Sequence, residues 1–102
     1  MSHQLNRLLV DKSATATGKG QACDNAKRYT VDVHIEGTVT ALTISINGGL
    51  SNDGLNNMVT RDIIAEGQLF FLNGMGVDFM SADIDTYAGS GTVTVLVKAI
   101  QD

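Results

Sequence analysis

Gly91-Thr92-Val93-Thr94-Val95-Leu96-Val97-Lys98-Ala99-Ile100 places Val93, Val95, Val97 and Ala99 at one parity, and Thr92, Thr94, Leu96 and Lys98 at the other. Successive side chains of a β-strand point to opposite faces, so this is the pattern of a strand half buried in an antiparallel sheet. Tyr29, Val31, Val33 and Ile35 oppose Thr30, Asp32, His34 and Glu36 in the same way. Leu42, Ile44 and Ile46 alternate with Thr43 and Ser45. Further strands are expected at about 57–64, 68–72 and 77–86, each ended by residues that turn a chain. Such residues stand at Gly37, Asn47-Gly48-Gly49, Asn52-Asp53-Gly54, Gly67, Asn73-Gly74-Met75-Gly76 and Gly89-Ser90-Gly91. The segment 77–86 changes phase near Ser81, which a β-bulge would reconcile. The residues 57–66 also have helical spacing, so a short helix is the competing expectation there. Strands with turn signals every 8–12 residues predict an all-β fold, a single antiparallel β-sandwich or jelly roll.

The 102 residues provide for one domain. No apolar run is long enough to cross a bilayer as a helix, and the start of the sequence is too interrupted for a secretory signal, so a cytoplasmic site of synthesis is expected. Residues 11–22 are small, polar and glycine-bearing, which predicts an extended N-terminal arm over 1–21 and a sandwich over 22–102. Charge divides along the same line. Residues 1–28 hold five cations against two carboxylates, whereas residues 29–102 hold two against nine. A basic leader and an acidic body attract each other within or between subunits. The acidic body would repel phosphate, and the leader has no aromatic residue on which a base could stack, so nucleic acid is not an expected partner.

No grouping of catalytic type stands out. Cys23 is the single cysteine and has no histidine close in sequence, so an inert thiol is expected. Asp83 and Asp85 share a strand face, yet a solvated face explains them better than acid–base chemistry or a calcium site. Ser51-Asn52-Asp53-Gly54 lacks the distal glutamate of a calcium loop. Asp32, His34 and the many serines come without a nucleophile elbow. The expectation is a protein that is not an enzyme and needs neither metal nor cofactor. Tryptophan is absent and aromatics are few, which argues against a sugar-binding shelf. Phe70 and Phe71 are adjacent, so one points inward and the other outward as a packing contact. Proline, one device against sheet extension, is absent, so the edges rely on charges such as Asp83, Asp85 and Lys98, or pair with another copy.

The order of motifs carries a resemblance. Ala14-Thr15-Ala16-Thr17-Gly18-Lys19-Gly20 precedes a strand ending Ile35-Glu36-Gly37-Thr38, then Ser51-Asn52-Asp53-Gly54, then Tyr87-Ala88-Gly89-Ser90-Gly91-Thr92-Val93-Thr94-Val95. Over residues 13–97 this resembles the small β-sandwich virion structural proteins of tailed bacteriophages, of the head-decoration or cement type. The chain departs from that pattern at Leu55-Asn56-Asn57, where an aromatic is usual, and at Ser81-Ala82-Asp83, where an arginine is. The resemblance implies a protein binding between capsid subunits as part of the virion, without nucleic-acid or membrane contact, and a homo-oligomer, trimeric by preference. A carbohydrate- or receptor-binding module, or a tail or adaptor component, is the alternative. The residues expected at the assembly interface are Leu5, Arg7, Leu8, Leu9, Lys12, Lys19, Phe70 and Phe71. Of these, Leu5, Leu8 and Leu9 would anchor the arm on a neighbour, and Arg7, Lys12 and Lys19 would complement its acidic surface.

Overall fold

Alternating segments become strands here because each can bury one face only against a second sheet. A computed structural model describes residues 5–63, 67–74 and 76–100. They form β1 (Leu5–Lys12), β2 (Ala16–Thr17), β3 (Gln21–Ala22), β4 (Arg28–Glu36), β5 (Val39–Gly49), β6 (Asn56–Asp62), β7 (Gln68–Asn73), β8 (Phe79–Gly89) and β9 (Thr92–Ile100). No helix occurs among the described residues. One sheet has the order β1-β9-β4-β7, and the other runs β2-β8-β5-β6 with β3 also paired to β8. All pairings are antiparallel. The all-β sandwich expected from the period-two pattern is what forms.

The core lies between the two sheets. Val31, Val33, Val93, Val95 and Val97 face inward from the first sheet, and Leu42, Ile44, Ile46, Met80, Ala82 and Ile84 from the second. Val33 pairs with Val95 and Val31 with Val97, so β-branched side chains sit opposite one another across the β4–β9 ladder. Each such fully buried side chain contributes about 1.5–3 kcal/mol relative to exposure. Tyr29 closes one end. Its hydroxyl donates to the Asp24 carbonyl at 2.7 Å and accepts from the Ala26 amide at 3.2 Å.

Three expectations need correction. The first is the arm. Its described part, from Leu5 onward, is built into both sheets: β1 is the edge strand beside β9, and β2 and β3 line the edge of β8. Leu8 and Leu9 are buried in the chain's own core. Burying two leucines within the subunit removes apolar area from water without waiting for a neighbour. The division at residue 21 therefore marks no structural boundary, while residues 1–4 and 101–102 lie outside the described part. The second is the bulge of β8. The pairing slips between Thr43 and Ile44, where Thr43 faces Thr86 and Ile44 faces Ile84, so the extra residue is Asp85 and not Ser81. The third is the competing helix. Asn56–Asp62 is a strand, paired with β5, and residues 64–66 of the expected segment lie outside the described part.

Two motif glycines have identifiable roles. Gly18 donates its amide to the Ala82 carbonyl at 2.9 Å, and a Cβ there would run into that same oxygen. Gly89 ends β8 at φ +137°, a conformation that side-chain-bearing residues rarely adopt, with a Cβ position 2.5 Å from the Thr38 carbonyl oxygen.

Candidate assembly surface

The outer face of the first sheet is read from its registers. Leu5 pairs with Lys98, Lys98 with Thr30, and Thr30 with Phe71, forming one row across β1, β9, β4 and β7. The next row is Arg7, Leu96, Asp32 and Leu69. Two adjacent rows thus bring Leu5, Leu96, Leu69 and Phe71 onto one solvent-facing surface, with Lys98, Arg7 and Asp32 between them. Leu69 is 67% exposed, Phe71 65% and Leu5 43%. The Arg28 guanidinium lies 5.9 Å from the Phe71 ring centroid, which shields one part of that ring. A shallow depression of about 230 Å³ runs between Leu5, Leu96 and Leu69, with Thr30, Asp32 and Lys98 completing its wall.

Of the residues expected at an interface, Leu5, Arg7 and Phe71 are brought to this face. Phe70 points the other way, buried in the core with the Arg61 guanidinium 4.3 Å from its ring centroid. Leu8 and Leu9 are core residues, so none of these three can anchor a neighbour without being torn from the sandwich. Lys12 and Lys19 join Arg7 around a separate groove of about 350 Å³ between β1 and the β2–β3 segment. Leu69 and Leu96 were not anticipated. Leu69 has the parity of Phe71, a signal that was present, but its alignment with Leu96 through Asp32 depends on a register that the sequence does not print.

The outer face of the second sheet is polar and internally bonded. Asp83 accepts from the Gly18 amide at 3.1 Å and from Asn47 Nδ2 at 3.0 Å. Asp85 accepts from the Ser45 hydroxyl, which also lies 3.0 Å from the Thr60 hydroxyl. Both carboxylates are therefore engaged in holding strands together. Among the described residues, no three His, Cys, Asp or Glu side chains are grouped to hold a metal ion. His34 sits 3.5 Å from Glu36 on an exposed face of β4. Burial pushes the Cys23 thiol up, further from the thiolate form that a nucleophile needs, and it contacts the Val77 carbonyl at 3.8 Å.

No protein family matches the sequence, and no curated protein does. The fold has a structural likeness. The crystal structure of the SPBc2 prophage-derived protein YomS matches over 96% of this chain and 94% of that one, with a TM-score of 0.68 and 12% sequence identity. That likeness establishes the architecture, an antiparallel sandwich shared along essentially the full length of both chains.

Proposed function

We propose that the chain is a non-enzymatic structural protein of a bacteriophage virion, a decoration or cement protein seated between capsid subunits. The observation that carries this reading is the apolar outer face of the β1-β9-β4-β7 sheet. Leu69 and Phe71 expose two large apolar side chains next to each other on one sheet face, and charged side chains frame them in the manner of an interface rim. The prophage origin of a protein with the same fold supports it, as does the motif order in the sequence. In this reading the face of Leu5, Leu69, Leu96 and Phe71 packs on a capsid subunit or a second copy, and the protein resides in the virion after synthesis in the bacterial cytoplasm. It needs no cofactor, since its work is to bury surface between subunits.

Mass spectrometry of purified particles tests the proposal. The chain is expected at a fixed copy number that matches a symmetric set of capsid sites, and Phe71→Asp is expected to lower its occupancy while leaving the isolated protein folded. Absence from particles, together with saturable binding to a glycan or a host surface protein, would favour the small binding module instead.

A further inference from the structure

We propose that the groove between β1 and the β2–β3 segment is a docking slot for an extended acidic segment of a partner protein, bound as an added strand. Three cations border this groove, Arg7, Lys12 and Lys19, and no carboxylate does. All three are exposed, and none forms an ion pair among the described residues. This is a local concentration of positive charge on a chain whose net charge is −4. Such a field selects an acidic occupant.

The shape of the slot selects an extended one. Arg7 lies opposite Leu96 and Lys12 opposite Val93, so across the bulges of β1 the two stand three strand residues apart, roughly 10 Å. With Lys19 on the opposite wall, the cations are strung along the groove rather than gathered at a point, which suits acidic side chains repeated along a strand. The slot also offers backbone. β1 is paired on one side by β9 alone and β2 on one side by β8 alone, so each keeps a free edge, and residues of both strands line the groove. Near its closed end the two sheets are already stitched, with Gln21 Nε2 donating to the Arg7 carbonyl at 2.7 Å and Asn6 Nδ2 to the Ala22 carbonyl at 2.9 Å. Beyond Arg7 no such bridge spans the gap among the described residues. A segment laid there extends the sheet of β1, while the partly exposed Val10 gives an apolar side chain something to cover.

A second copy of this chain is a poor occupant. Its carboxylates on the second sheet, Asp83 and Asp85, lie on a flat, internally bonded face that cannot enter a slot. Its edge strand β7 carries no charge, and β6 sets Asp62 beside Arg61. The complementary chemistry therefore belongs to a different protein.

The test uses the isolated full-length chain, so its outcome is separate from whether the protein is found on particles. The probe is a blocked peptide of about eight residues alternating Glu and Val, a length that spans the slot at the rise of a strand. In an amide NMR titration the peptide is expected to shift Leu8–Lys12 and Thr17–Lys19 and to slow hydrogen exchange along β1. The peptide with Lys in place of Glu is expected to leave them unmoved. The double variant Lys12→Glu with Lys19→Glu is expected to weaken binding by about tenfold or more, with an unchanged thermal midpoint, since both side chains are exposed. Binding is also expected to weaken as salt is raised. Failure of the Glu peptide to bind by about 1 mM overturns the proposal. So does inorganic phosphate that shifts the same amides with equal affinity, which would make the groove a small-anion site. Self-association of the native chain that the double variant abolishes would make the occupant a second copy, and that too overturns it.

Discussion

At the scale of single residues, Tyr29 joins core and loop. Its ring is buried, its hydroxyl holds the Asp24 carbonyl and the Ala26 amide, and burial raises its pKa to about 12 from the ordinary 10. A phenol whose pKa is higher in the folded state than in the unfolded chain contributes stability that is fully present below pH 10. That contribution is lost as pH rises toward 12. Denaturant titrations across pH 9–12 are therefore expected to show the midpoint falling above about pH 10, and Tyr29→Phe is expected to flatten that fall. The same variant should cost about 1–2 kcal/mol at neutral pH, because a buried amide loses its acceptor. Val95 tests the core more severely. It is fully buried at the centre of β9, so Val95→Asp places an unpaired charge among valines at a cost of several kcal/mol. Against a total of about 5–15 kcal/mol, loss of cooperative unfolding by circular dichroism is the expected result. Gly89→Ala should fold but lose about 1–3 kcal/mol, owing to the positive φ and the nearby Thr38 carbonyl.

At the scale of elements, β1 is a structural strand as well as a border of the slot. Deleting residues 5–12 removes Leu8 and Leu9 from the core, at about 1.5–3 kcal/mol each, and strips β9 of one hydrogen-bonded neighbour. The truncated chain is expected to be unfolded or to melt far lower by calorimetry. A sandwich that survived the deletion with an unchanged midpoint would mean that β1 adds nothing to the fold. The strands β4, β5 and β9 were legible in the sequence because they alternate without interruption, and their inward sets match the expected core, with Ile35 only partly buried. β1 was legible only as a short strand or apolar hook within residues 2–10 and not as part of the sandwich, for two physical reasons. Its first inward position is Asn6, a polar residue made tolerable in the interior by its bond to the Ala22 carbonyl. Its pairing then slips between Arg7 and Leu9, which lets Leu8 and Leu9 both be buried. A reader counting by twos sees disorder where a bulge restores the phase. The proposed interface was legible in part. Parity alone exposes one of Phe70 and Phe71, whereas the choice of Phe71, and the company of Leu5 and Leu96, come only from pairings between strands distant in sequence.

At the scale of the whole molecule, the exposed apolar face and the uncharged edge of β7 argue for a partner on that side. The native chain is expected to sediment as a homo-oligomer, with a trimer the first candidate, and Phe71→Asp is expected to shift it toward monomer. Persistence of a monomer at every accessible concentration would confine this face to contacts with other proteins. The connectivity has a further consequence, for the order in which the molecule can be made. Every step along the chain except β2 to β3 and β5 to β6 passes from one sheet to the other, and β9 sits between β1 and β4. During synthesis, therefore, β1 has no partner at all until β9 emerges, and only β7 can pair with β4. Non-local pairing of this kind folds slowly, on a scale of roughly milliseconds to seconds. Throughout that interval Leu69-Phe70-Phe71-Leu72 is a short, uncharged, β-prone run with no finished sheet behind it. The yield of soluble protein in a cell then depends on a race between the arrival of β9 and the meeting of two unfinished chains, so slower expression at lower temperature should raise it.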